Sequence, residues 1–192
     1  MGVIKHEEQR VGIFIDAQNL YHSAKNLYKK KVNFGAILDD AVAGRQLVRA
    51  IAYVITTESG EEKSFFEALE KLGIETKTKD LQIFYGGAKK ADWDVGIAVD
   101  MIRLAPKLDA VVLVSGDGDF VPLVEYLKTM TQVEAISFGK SSSGKLKEVV
   151  DDFLDMGENT KRYLIGSRAI QKPPRNPQNV ASKQKRTPRK RK

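Results

Sequence analysis

Four stretches of this chain are continuous apolar runs too short to be helices: Arg10–Ala17 (RVGIFIDA), Leu47–Thr56 (LVRAIAYVIT), Asp109–Ser115 (DAVVLVS) and Val133–Phe138 (VEAISF). A strand without polar alternation has both faces covered, which is the pattern of a parallel sheet held between helices. Helical spacing fills the intervals: Asn19–Lys30, Phe34–Val42 with Asn33 as cap and Gly44 as stop, Glu61–Leu72 closed by Gly73, Trp93–Ala105, Phe120–Met130 and Lys145–Phe153. Ile74–Tyr85 reads as one strand or two, broken by Gly86-Gly87, and Tyr163–Ile165 as a short last element. The alternation predicts an α/β fold, a three-layer α/β/α domain with a mainly parallel central sheet.

Composition divides the chain in two. Of 192 residues, 42% are hydrophobic, enough to bury a core. Residues 171–192 hold nine Lys/Arg, no acid and four of the six prolines. Residues 1–170 hold 23 Lys+Arg against 25 Asp+Glu, so the overall charge of +7 is a body of −2 and a tail of +9. The tail has too little apolar surface to offset its ordering entropy and is expected to be disordered. The expected organisation is therefore a domain over 1–170 and a Lys/Arg/Pro-containing tail over 171–192. With no cysteine there is no disulfide framework and no thiolate zinc site. His6 and His22 have no paired ligand spacing. No apolar run approaches the roughly 18–20 residues of a membrane span, and MGVIKHEEQR lacks the apolar segment of a signal peptide. A cytoplasmic protein with no membrane contact is the expectation.

In open parallel sheets, ligands bind beyond the carboxyl ends of the strands. There the first strand releases Asp16-Ala-Gln-Asn19, and the third releases Ser115-Gly116-Asp117-Gly118-Asp119. Gly116 and Gly118 permit a tight turn, and Asp117 and Asp119 stand two apart, able to converge. Asp94 opens the Trp93–Ala105 helix, and Asp100 follows six residues on, roughly 120° round it at about 100° per residue. Carboxylates held together repel unless a cation or a proton neutralises them. Hard oxygen donors with no His or Cys nearby favour Mg²⁺ or Mn²⁺ over zinc. Such ions activate water and stabilise charge developing on a phosphodiester.

Three of these acids also have a plain structural reading, while Asp16, ending a fully apolar strand, is the hardest to dismiss. Asp119 can cap the helix at Phe120, Asp94 can face its helix dipole, and Asp100 can pair with Arg103. Trp93 can stack on a base or pack in the core; Lys89 and Lys90 can contact phosphate or simply be solvated. Ser115 can bond a ligand or the backbone, and Asp151 and Asp152 read as a solvated helix face. Acids after two strands and at one helix start together favour a metal site.

FIDAQNLY, KKADWDVGIAVDM and VVLVSGDGDFVPLV, in this order, resemble the NYN domain, in particular its LabA-like branch within the PIN-like nuclease superfamily. The resemblance covers roughly residues 10–165. It implies a PIN-like fold and a metal-dependent ribonuclease site. Carried over by position, Asp16, Asp94, Asp117 and Asp119 would hold the metal, with Asn19 assisting and Asp100 matching the second acid of the helix motif. It also implies a possible homodimer, since PIN-like domains often pair. Two rival phosphate-handling folds fit worse. A haloacid-dehalogenase-like phosphatase needs an acid where Gln18 stands, and the P-loop G-x₄-G-K-[ST] is absent.

The function expected is Mg²⁺- or Mn²⁺-dependent cleavage of RNA, most readily single-stranded. Lys89 and Lys90, and Lys185, Arg186, Arg189, Lys190, Arg191 and Lys192 of the tail, would hold its backbone. The tail could equally be a targeting segment. The alternative is a non-catalytic RNA-binding or regulatory protein that keeps the fold.

Overall fold

The computed structural model describes residues 3–56, 63–83, 89–90 and 92–166. Its elements, in chain order, begin with β1 (Arg10–Asp16), α1 (Ala17–Tyr28), β2 (Lys31–Val32), α2 (Phe34–Val42), β3 (Gln46–Thr56), α3 (Lys63–Lys71) and β4 (Glu75–Asp80). The two-residue strands β5 (Gln82–Ile83) and β6 (Lys89–Lys90) precede α4 (Asp94–Leu104), β7 (Ala110–Val114), α5 (Val121–Leu127) and β8 (Gln132–Ser137). Then come α6 (Gly144–Val149), β9 (Asp152–Asp155), α7 (Thr160–Tyr163) and β10 (Leu164–Ile165).

Six strands form one sheet in the order β4-β3-β1-β7-β8-β9, and every neighbouring pair is parallel. Side chains alternate across each strand, so the central strands feed two cores. Val11, Ile13 and Ile15 meet Leu20, Ala24, Ile37 and Leu69 from α1, α2 and α3. Phe14 meets Ile97, Met101, Val124 and Leu146 from α4, α5 and α6 on the other face. This is the expected three-layer arrangement. From β1 the chain runs outward one way to β3 and β4; from β7 it runs the other way to β8 and β9. The strand order therefore reverses between β1 and β7, where such sheets open a crevice at their carboxyl edge.

Local chemistry explains several boundaries. Asn33 caps α2 by accepting the Ala36 N–H at 3.3 Å. Helix α2 then ends on Ala43 and Gly44 in the left-handed region, at φ 48° and 76°. The expected last element exists as β10, paired antiparallel with β2. Gly86-Gly87 and residues 61–62 of the third expected helix lie outside the described residues, as does the tail.

One expected element is corrected. Lys145–Phe153 is not a single helix: α6 stops at Val149, Val150 is extended, and Asp152–Asp155 is a sixth strand parallel to β8. Asp151 fixes this break. Its carboxylate accepts the Val133 N–H at 2.8 Å and meets Lys128 at 3.0 Å, while Asp152 meets Lys5 at 3.1 Å. These two acids are not a solvated helix face but the start of an edge strand.

A buried ion pair ties the end of α2 to the sheet. Arg45 and Glu134 are both almost wholly enclosed, and Arg45 Nη2 donates to Glu134 Oε2 at 3.1 Å and to the Ala41 carbonyl at 2.7 Å. Burial pushes the Glu134 carboxyl up, but the bonds from Arg45 and Lys5 outweigh it, so its pKa lies below the usual value.

Candidate active site at the sheet switch point

Asp16 closes β1 and caps α1, its Oδ1 accepting the Asn19 N–H at 3.0 Å. Ser115, fully buried at the end of β7, donates to Asp16 Oδ2 at 3.3 Å and accepts the Asp117 N–H at 3.2 Å. Asn19 Oδ1 accepts the Gly116 N–H at 3.1 Å. These bonds join the two strand ends on either side of the switch point and fix where Asp16 and Asp117 stand. Of the two roles open to Ser115, ligand and backbone, the structure shows it holding one acid and the backbone of the other. Asp117 Oδ1 accepts the Asp119 N–H at 3.0 Å, so Asp117 caps the turn and Asp119 itself remains exposed. Asp119 does not cap α5, which starts later, at Val121.

Asp94 arrives from the opposite wall as the first residue of α4. Trp93 before it does what the core reading anticipated: its ring packs at 5.4 Å from Tyr53, and its Nε1 donates to the Val54 carbonyl at 3.1 Å. Trp93 also faces the cleft of about 340 Å³ that Asp16, Asn19, Asp94 and Asp117 line. Asp92 lines it too, an acid that sequence reading passed over although it stands two residues before Asp94. Asp100 lies elsewhere. It accepts from Tyr53 Oη at 2.7 Å and Lys77 Nζ at 2.6 Å, bonds that outweigh its burial and hold its carboxyl below the usual range. Its partner is Lys77 on β4 rather than Arg103. Lys89 and Lys90 form β6.

The electrostatics of the cleft are those of crowded acids. Burial, and then the charges of Asp16, Asp117, Asp92 and Asp119, push Asp94 up to about 6. Burial also raises Asp16, against the bonds from Asn19 and Ser115 that favour its charged form. No Lys or Arg lines this cleft among the described residues. A hard divalent cation fits the acids in kind, since they are oxygen donors with no Lys or Arg beside them among the described residues; His22 also lines the cleft, contrary to the expectation that no His stands nearby. As the side chains lie, no three acids among the described residues stand close enough to surround one ion.

The turn that carries Asp117 is built against a second wall. A Cβ on Gly116 would lie 2.6 Å from Ser142 Oγ, 2.8 Å from Ser137 Oγ and 3.0 Å from Ser142 Cα. The last contact is backbone, so the clash cannot be relieved by turning hydroxyls alone. Gly116→Ala is expected to cost about 1–3 kcal/mol, read as a lowered thermal midpoint. An unchanged midpoint would mean that this turn is looser than described.

The molecule is thus a parallel three-layer α/β domain with acids gathered at its switch point, and the comparisons place it in a family. The NYN domain family model matches residues 10–157. The chain is 27% identical over 161 residues to the low amplitude and bright protein LabA of Synechococcus elongatus, covering 78% of this chain and 84% of that one. A crystal structure of a protein of unknown function from Vibrio parahaemolyticus is similar with a TM-score of 0.76 and 29% identity, over 85% of this chain and all of that one. The chain belongs to the NYN domain family, within a nuclease-like superfamily. Among the described residues, no helix is long and apolar enough to cross a membrane.

Proposed function

We propose that the protein is a metal-dependent ribonuclease. The observation that carries this reading is that Asp16, Asp94 and Asp117 line one cleft with no Lys or Arg among the described residues lining it, where burial and then the neighbouring acids push Asp94 up to about 6. Asp16, Asp94, Asp117 and Asp119 would hold Mg²⁺ or Mn²⁺, and Asp100, engaged by Lys77 and Tyr53, stands outside that set. The bound ion would supply water activation and charge neutralisation at the phosphodiester. The chain's own residues do the positioning. Ser115 and the Asn19 N–H hold Asp16 in one orientation. Asn19 Oδ1 is engaged by Gly116, which leaves its amide N–H groups to donate to a phosphate or carboxylate oxygen.

One observation favours the non-catalytic alternative, namely that no three acids among the described residues surround a common point. Incubating purified protein with single-stranded RNA and Mn²⁺ decides between the two. Cleavage that EDTA stops is expected. RNA binding without cleavage, with either ion, would make the protein a binder.

The basic tail, residues 171–192, is the proposed anchor for the RNA backbone, because the cleft repels phosphate. If about six of its charges engage single-stranded phosphates, log K falls with log salt at a slope near −4, about −0.7 per contact. Truncation after Ile170 is expected to flatten this slope and leave the thermal midpoint nearly unchanged. Equal slopes for the two proteins would show that the tail is not the anchor.

A further inference from the structure

The cleft does not end at the acids. It continues along α1, where Gln18, His22 and Asn26 line it at four-residue spacing, with Ser23 beside them. Four residues of helix advance about 6 Å, so the three side chains form a ladder about 12 Å long on one face. The opposite side is closed by Ser141, whose Oγ donates to Ser23 Oγ at 2.9 Å. No Lys, Arg, Asp or Glu stands on this ladder, and its two amides carry a donor and an acceptor side by side. A phosphate chain would seek Lys or Arg there; uncharged amides and an imidazole suit the edges of bases. Tyr21 stands edge-on to His22 with ring centroids 5.5 Å apart, but it lies outside the cleft lining with Lys25 Nζ over its ring at 5.2 Å, so the track consists of the three polar side chains.

The geometry points to the α1 face as a base-reading track for single-stranded RNA, leading away from the acid centre and giving the cleavage a sequence preference. This rests on the ribonuclease reading above, and it adds what selects the substrate. The strand must be single, because the base edges have to splay out to reach helix side chains. Amide side chains pair bidentately with adenine better than with other bases, so Gln18 and Asn26 make adenine the preferred occupant. The cleft volume of about 340 Å³ sits at the low end of small-ligand sites, roughly 300–1,000 Å³, and suits one nucleotide beside the acids with the next lying along the open helix.

The test measures binding rather than cleavage. Full-length Asp117→Asn protein is titrated into labelled oligo-A, oligo-C, oligo-U and oligo-G with Mg²⁺, at raised salt so that phosphate contacts weaken. Gels before and after confirm that the strands stay intact. Oligo-A is expected to bind at least about tenfold tighter than the weakest of the four. Gln18→Ala with Asn26→Ala is expected to bring all four within about twofold, with the thermal midpoint held, since both side chains face the cleft. Four equal affinities before substitution, or a spread that survives it, would overturn the track. A spread led by another base and erased by the substitutions would keep the track and overturn the adenine assignment. Failure of every strand to bind, while wild-type protein still cleaves RNA with Mn²⁺, would overturn the track alone; failure of both would sink the ribonuclease reading itself.

Discussion

Asp117→Asn is expected to lower RNA cleavage by orders of magnitude while leaving the fold intact. The substitution keeps size and keeps an oxygen to accept the Asp119 N–H, so the turn survives. What it removes is one negative ligand from the proposed ion, and losing a shared ligand acts directly on the transition state. Stability without metal moves the other way. The Asp117 charge is among those that raise Asp94 to about 6, so Asn there lets Asp94 ionise at less cost. The sign follows from proton linkage. An acid whose folded pKa lies above its unfolded value of 3.8 stabilises the fold while protonated, and that contribution is lost as pH rises towards about 6. Through this group, metal-free wild type is therefore expected to be less stable at pH 7 than at pH 5, and Asp117→Asn should flatten that difference. Because Asp94 is only half-buried, the gain at pH 7 is about 1 kcal/mol or less after solvent screening. Wild-type cleavage rates in Asp117→Asn protein would remove Asp117 from the mechanism.

The largest expected loss of stability lies far from that site. Arg45→Met leaves the Glu134 carboxylate buried with Lys5 as its remaining cation, 2.9 Å away. An uncompensated buried charge costs about 3 kcal/mol or more; with Lys5 and Gln132 Nε2, 2.7 Å from Glu134 Oε1, still engaging the carboxylate, about 2–3 kcal/mol is expected, roughly 8 °C in thermal midpoint for a chain of this size. Arg49→Met, which breaks a half-exposed pair with Glu75, is the control and should cost about 1 kcal/mol or less. Adding Glu134→Leu to Arg45→Met should recover most of the loss, because two apolar side chains replace a pair whose desolvation was costly. Equal shifts for Arg45→Met and Arg49→Met would mean that the Arg45 pair is solvated.

The parallel sheet was legible because four strands carry apolar residues on both faces, a pattern that only a covered sheet requires. Two acids of the cleft were legible for a related reason: Asp16 ends one such strand, and Asp117 follows another, whereas Asp119 two residues on stays outside the cleft lining. What stayed hidden depends on partners distant in sequence. Strand β9 reads as helix because Lys145–Phe153 has helical spacing, and only the Asp151 bond to Val133 and the pairing with β8 make it extended. Asp100 shares a helix with Asp94, but a lysine 23 residues away engages it. Gln18 lies within FIDAQNLY, but His22 and Asn26 stand outside any motif, and that the three line the cleft shows only once α1 is docked with Ser23 against Ser141.

The central claim is that the cleft acids hold a divalent ion. Crystals of the full chain soaked in Mn²⁺ and measured at the manganese absorption edge test it most directly. The account predicts an anomalous peak among Asp16, Asp94, Asp117 and Asp119, and none beside Asp100. No peak among the four acids at saturating Mn²⁺, with the cleft open to solvent in the lattice, would contradict it.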